Sequence, residues 1–144
     1  MNDDADALAR RVADTLRSRE GTGPALGTTV EDAREGYSRV SMIVRKDMLN
    51  GKGIAHGGTI FTLADTAFAY ACNSRNENTV AQSATIAFLA PGREGDRLEA
   101  EARELALAGR SGVYQVEIRN QRGEKIAIFQ GLSRGIGGAI LGGD

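Results

Sequence analysis

Residues 56 to 73 read His56-Gly57-Gly58-Thr59-Ile60-Phe61-Thr62-Leu63-Ala64-Asp65-Thr66-Ala67-Phe68-Ala69-Tyr70-Ala71-Cys72-Asn73. Two glycines open a helical stretch that carries one acid among apolar side chains. Ile60, Phe61, Leu63, Ala64, Ala67, Phe68, Ala69 and Tyr70 point in every direction around the axis, as in a helix buried all round. Asp65 is out of place there. An ionised carboxylate is tolerated in such surroundings only when it is paired, hydrogen-bonded or in use, so Asp65 is either a structural partner or a catalytic residue.

Gly57 and Gly58 leave the first turn without side chains. Its unpaired backbone N–H groups and the positive end of the helix dipole can then face a ligand oxygen. Donors of this kind near a carboxylate point to attack on an acyl carbonyl. The same glycines also fit a helix that approaches a strand closely. Gly57 and Asp65 are eight residues apart, so they sit roughly 12 Å apart along the axis. One carbonyl reaches both only if Gly57 of one subunit meets Asp65 of another, across a two-fold axis relating two antiparallel helices.

Working outward, Ala5, Leu8, Val12 and Leu16 recur at helical spacing over residues 3 to 19, which predicts an amphipathic helix. Gly21 to Pro24 ends it, so residues 1 to 24 form a helix and linker. Ala25 to Val30 reads as a first strand, Glu31 to Gly36 as a turn, and Tyr37 to Val44 as a second strand. Residues 45 to 55 are polar and glycine-rich, a flexible loop leading to His56. After the buried helix come four strand-like stretches: Val80 to Ala90, Asp96 to Leu107, Val113 to Asn120 and Lys125 to Ser133. Glycine stands at or beside each connection between them. Leu98, Ala100 and Ala102 alternate with Arg97, Glu99, Glu101 and Arg103, as on an antiparallel strand with one wet face. Residues 135 to 144 read as a mobile glycine-rich tail. One apolar helix among six antiparallel strands predicts an α+β domain over 1 to 144, a sheet curled around a central helix with an extra N-terminal helix. That is the hotdog architecture.

The 144 residues carry 18 basic and 19 acidic side chains, a balance that gives no general attraction to nucleic acid or to an anionic membrane. One cysteine, Cys72, excludes an internal disulfide, and one histidine, His56, excludes the usual zinc ligand sets. No apolar run reaches the roughly 20 residues of a membrane span, and the polar N-terminus lacks a signal-peptide core. A cytoplasmic location is expected.

The spacing of Asn50, His56-Gly57-Gly58 and Asp65 resembles the PaaI family of hotdog-fold acyl-CoA thioesterases. So do Leu63 to Asn73, Phe88-Leu89-Ala90-Pro91-Gly92 and the closing Ser133 to Gly138. The resemblance implies a hydrolase that releases free acid and coenzyme A from aryl-acetyl-CoA thioesters of the phenylacetyl or hydroxyphenylacetyl type, as in phenylacetate catabolism, with no metal or bound cofactor. It implies a homodimer as the catalytic unit, paired into a homotetramer. Asp65 would be the nucleophile or the base for water, and the Gly57 N–H would polarise the thioester carbonyl. Asn50 and His56 would hold that carbonyl and orient the loop, and Thr66 would orient the water or the carboxylate. Gly58, Arg110, Ser111 and Arg134, with Arg93, are the candidates for contacts to substrate and coenzyme phosphates. The same fold also serves acyl-thioester hydratases and dehydratases, and it would serve a non-enzymatic acyl-CoA-binding module.

Overall fold

The computed structural model describes residues 3–142. The chain runs α1 (Asp3–Arg19), α2 (Thr22–Leu26), β1 (Thr29–Arg34), β2 (Tyr37–Ile43), a 3-10 turn (Lys46–Met48), α3 (Gly57–Cys72), β3 (Thr79–Phe88), β4 (Arg97–Ala108), β5 (Ser111–Arg119) and β6 (Lys125–Gly135). The six strands form one antiparallel sheet in the order β1-β2-β4-β5-β6-β3. α3 lies against its inner face. This is the hotdog fold expected from the pattern of elements.

Alternation builds the core. Leu98, Ala100 and Ala102 of β4, Val116 and Ile118 of β5 and Phe129 of β6 face inward and are fully buried, together with Leu63, Ala64 and Ala67 of α3. Phe68 packs edge-on to Tyr114 with centroids 5.5 Å apart, and tilted against Phe129 at 5.6 Å. Gly131 makes room for this ring, because a Cβ there would stand 2.7 Å from Phe68 Cζ. α1 buries Ala9, Val12 and Ala13 and packs against β1 and α3. The Tyr70 hydroxyl donates to the Glu20 carboxylate, tying the end of α1 to the central helix.

Four expectations are corrected. Ala25 and Leu26 belong to a one-turn helix, because Pro24 is accepted in a first turn and Gly27 (φ 69) supplies a left-handed cap. The predicted turn over Glu31 to Arg34 is strand, paired with β2 through Asp32↔Arg39, Ala33↔Ser38 and Arg34↔Tyr37. Its charged side chains misled because an edge strand with one wet face tolerates them; Glu31 accepts from Ser41 Oγ at 2.6 Å and from Arg97 Nη2 at 2.9 Å. The expected mobile tail is anchored as far as it is described. Ile140 is buried, and the Ile140 and Leu141 N–H groups donate to Asn76 Oδ1 at 2.9 and 2.7 Å. Residues 143 and 144 lie outside the described residues.

The fourth correction concerns α3, which is not enclosed all round. Thr62, Asp65 and Ala69 are only half-buried and Gly58 is exposed, so one face of the helix lies open. Next to it β3 is the free edge of the sheet, with Val80 and Phe88 exposed.

Candidate active site

The segment before α3 is rigid where a flexible loop was expected. Asn50 N–H donates to Ile54 O at 2.8 Å, Ala55 N–H to Gly92 O at 2.7 Å and His56 N–H to Met48 O at 2.8 Å. Asn50 Oδ1 accepts from the N–H groups of Lys52 (2.9 Å) and Ile54 (3.3 Å). With the oxygen fixed by backbone donors, the side-chain NH2 is left without a partner among the described residues. Asn50 and Gly57 line a cleft of about 480 Å³ with Ala55, Ile60, Phe88 and Pro91.

His56 is the N-cap of α3, in extended backbone (φ −62, ψ 134). Its Nδ1 accepts the Gly58 N–H at 2.9 Å. The N–H groups of Thr59 and Ile60 both donate to His56 O. Of the first turn's donors, only the Gly57 N–H is unpaired among the described residues. The two glycines therefore differ: Gly57 offers a donor to the cleft, whereas Gly58, a candidate substrate contact by sequence, has its N–H occupied by the cap. Gly57 must also be small, since a Cβ there would stand 3.0 Å from Phe88 Cζ.

Asp65 sits two turns further along, on the open face of α3. Its carboxylate has no hydrogen-bond or salt-bridge partner among the described residues, and burial alone pushes its pKa above the ordinary aspartate value. A structural acid would be paired. Thr66 donates its hydroxyl to Thr62 O at 2.7 Å, so its oxygen has only lone pairs to offer. It can accept a hydrogen bond from a water but cannot donate to Asp65. Asn50 and Gly57 thus share a cleft, and Asp65 and Thr66 stand about 12 Å along the helix from it.

The remaining candidates fall elsewhere. Arg110 and Ser111 line a second cavity at the far end of α3, roughly 22 Å along the axis from Gly57. Arg134 follows the buried, inward-facing Ser133 and lines neither cavity; strand alternation places it on the outer face of the sheet. Arg93 adjoins Gly92 beside the first cleft; its backbone N–H donates to Asp96 Oδ2 at 2.9 Å and its charge helps hold the Asp96 carboxyl below its ordinary pKa. Sequence reasoning missed Phe88, whose period-2 relation to the half-buried Ala84 and Ile86 was the available signal. Among the described residues no helix is long and apolar enough to cross a membrane, and no group of three His, Cys, Asp or Glu side chains is placed to hold a metal ion.

A family model described as Thioesterase superfamily matches residues 52–127. The acyl-coenzyme A thioesterase PaaI of Escherichia coli K12 is 45% identical over 130 residues, spanning 90% of this chain and 93% of that protein. The solved structure of the E. coli PaaI protein from the phenylacetic acid degradation operon superposes with a TM-score of 0.92 at 42% identity, over 93% of this chain and 97% of that one. A Streptococcus pneumoniae protein described as a hypothetical thioesterase, solved with coenzyme A, gives a TM-score of 0.74 at 27% identity, over 76% and 86% of the two chains. By its fold, by the family model and by its identity to PaaI over nearly its whole length, the chain belongs to the thioesterase superfamily and, within it, to the PaaI acyl-coenzyme A thioesterases.

Proposed function

We propose that this chain hydrolyses aryl-acetyl-CoA thioesters to free acid and coenzyme A, at sites shared between two antiparallel copies. One observation carries the reading: α3 holds an unpaired N–H at Gly57 and an unpartnered, half-buried carboxylate at Asp65, too far apart to serve one carbonyl from one chain.

Across a two-fold axis level with Phe61, the Gly57 of one protomer comes opposite the partner's Asp65. The free edge of β3 and the open face of α3 are the surfaces such an assembly would cover. In the composite site the Gly57 N–H and the Asn50 amide polarise the thioester carbonyl. Both are donors held by backbone, and they stabilise the oxyanion as it forms. His56 contributes by fixing the first turn, with its Nδ1 committed to Gly58.

Asp65 acts on the other side of the carbonyl. Either its oxygen adds to the carbonyl carbon and expels the thiolate, leaving a mixed anhydride that water then hydrolyses to the free acid, or it takes a proton from a water whose oxygen adds to the carbonyl carbon and expels the thiolate; Thr66 Oγ1 accepts a hydrogen bond from the water's other O–H. The thiolate is a good leaving group, so one carboxylate and two donors suffice without a Ser–His–Asp triad. The preference for aryl-acetyl groups follows the similarity to PaaI. The chemistry needs no bound metal or cofactor.

The test is release of free thiol from a panel of CoA thioesters, aryl-acetyl and straight-chain, followed with a thiol reagent. Thiol release with a preference for aryl-acetyl esters supports the reading. Binding without thiol release would make the chain an acyl-CoA-binding module, and water addition or loss with the thioester intact would make it a hydratase or dehydratase.

A further inference from the structure

Of the six asparagines in the chain, Asn50 alone is followed by glycine. The backbone nitrogen after an asparagine can attack the side-chain amide, and glycine leaves that approach free of a Cβ. Three groups decide whether the reaction proceeds in a folded chain: the attacking nitrogen, the carbonyl attacked and the amine expelled.

The loop before α3 holds all three ready. Gly53 N–H donates to Asn50 O at 3.0 Å, closing a β-turn in which neither Gly51 nor Lys52 has a positive φ. This is a type I turn with asparagine and glycine at its favoured ends. Asn50 Oδ1 accepts the N–H of Lys52, two residues on, at 2.9 Å, and such an Asx turn folds the side-chain amide back over the Gly51 peptide. The Gly51 N–H has no hydrogen-bond partner among the described residues, and Gly51 is exposed. Oδ1 takes a second bond from Ile54 N–H at 3.3 Å, so two backbone donors stabilise the charge that attack on Cγ places on that oxygen. The expelled group is the unpartnered side-chain NH2 of a residue that lines the cleft.

Among the described residues the other asparagines lack this arrangement. Asn73 and Asn120 are buried, their amide nitrogens donating to Ala69 O and Thr79 O and to Glu124 Oε1. Asn76 donates to Leu141 O, and Asn78 is followed by the β-branched Thr79.

We propose that Asn50 is a self-modification site, at which the chain converts its own side-chain amide into a carboxylate. The Gly51 nitrogen gives up its proton to a solvent base and bonds to Asn50 Cγ. The Cγ–Nδ2 bond breaks and the amine takes up a proton to leave as ammonia, closing a succinimide ring. Water then opens the ring at either carbonyl, giving aspartate or an isoaspartate whose main chain runs through the side-chain carbon. Nothing is oxidised or reduced; one water is consumed and one ammonia released. The consequence rests on the thioesterase reading: the donor that polarises the thioester carbonyl is lost, and a negative charge stands where the oxyanion forms. The site switches off with age, at a rate set by its own loop.

The experiment ages the full-length protein at mildly alkaline pH, beside the same chain unfolded in guanidinium, and follows peptide masses, isoaspartate content and thiol release. The tryptic peptide spanning residues 47 to 52 is expected to gain about 1 Da, while those holding Asn73, Asn76, Asn78 and Asn120 stay unchanged. In the folded protein the gain should run at no less than about one-tenth of the unfolded rate, because the turn already holds the reacting atoms together. Activity should fall in step, and Asn50→Asp made directly should be as inactive as the aged protein. Gly51→Pro removes the attacking N–H at a turn position that proline favours, where a Cβ meets nothing within 4 Å, and it should keep its mass and its activity. Gly51→Ala, which only crowds the nitrogen, should age more slowly than the parent. A folded rate below that tenth, or an unchanged 47 to 52 peptide when other asparagines have reacted, would overturn the site. Modification with full activity would overturn the switch and remove Asn50 from the carbonyl's donors. The mass readout needs no catalysis, so a parent that releases thiol from no ester takes down the thioesterase reading and leaves the modification site to be decided by mass.

Discussion

His56 and Gly58 are joined by a hydrogen bond of 2.9 Å from the Gly58 N–H to the His56 Nδ1, and that bond decides which donor α3 presents. With Gly58 capped and the next two N–H groups bonded to His56 O, Gly57 is the one donor of the first turn left to the cleft. Replacing His56 separates the cap from any direct role. His56→Ala should lower stability by about 1 kcal/mol through loss of the N-cap, and activity should fall with it. Asn is a strong N-cap, so His56→Asn should restore the melting temperature. If activity returns along with stability, His56 works through the helix start alone. A stable His56→Asn variant that stays inactive would show that the imidazole itself touches substrate.

The Gly57 N–H can be deleted with little change to the fold. Gly57 is the first residue of α3, where proline is favoured, and His56 already has the extended backbone that a following proline demands. Phe88 would crowd the ring, so the substitution is best made as Gly57→Pro with Phe88→Ala, beside Gly57→Ala with Phe88→Ala as the control that keeps the N–H. The proline variant should lose about 10² to 10³ in kcat relative to the alanine control, the range found for one oxyanion donor. Equal rates in the two would mean that the carbonyl is polarised elsewhere.

Asp65 is held at some cost to stability. Burial raises its pKa above the usual value near 3.8 with no partner to offset it. In the window between 3.8 and the raised value, the folded chain binds more protons than the unfolded one, so unfolding free energy falls as pH rises through that window. Asp65→Asn removes this loss. The variant should melt above the parent at pH 7, and the gap should close as pH falls below the ordinary aspartate value. Acids with lowered pKa, such as Glu104 and Asp96, titrate alike in both proteins and cancel. The same variant should lose about 10²-fold or more in kcat. A variant that melts lower than the parent at pH 7 would mean that Asp65 has a stabilising partner in the assembled protein.

Cys72 should be chemically quiet. Burial first, then the charge of Asp65, pushes its thiol up to about 12, leaving about one part in 10⁴ as thiolate at pH 8. Iodoacetamide should label the folded protein at least about 10³-fold more slowly than the denatured chain. Labelling at the rate of a free thiol would place Cys72 in a different environment.

The architecture was legible because periodicity changes sharply along the chain, from 3.6 in α1 and α3 to 2 in β2 and β4. The relative placement of the candidate residues Gly57, Asp65 and Thr66 was legible because they share one helix and its rise sets their spacing. What the sequence hid depends on contacts between distant segments. Nothing in Gly57-Gly58 tells that His56 will occupy one N–H and leave the other. The register of β4 against β5 slips between Glu104 and Ala106 and brings Leu107 opposite Gly112, and a bulge has no signature in Glu-Leu-Ala-Leu-Ala. Glu31 to Arg34 read as a turn because the partners of those charges, Ser41 and Arg97, lie on other strands.

The sharing of one site between two chains has the most direct test, because it follows from helix geometry. Asp65→Asn and Asn50→Ala proteins should each be inactive alone, the first lacking the attacking group and the second lacking a carbonyl donor in both sites of its dimer. Refolding the two in equal amounts gives about half mixed dimers. In each of these, the composite site built from the intact Asn50 of one chain and the intact Asp65 of the other carries neither lesion, so activity should return to roughly a quarter of the parent's. Mixed dimers can be counted by mass or by an affinity tag on one chain. If they form and remain as inactive as the parents, Asn50 and Asp65 serve one site from the same chain, and the antiparallel arrangement of α3 about Phe61 is wrong.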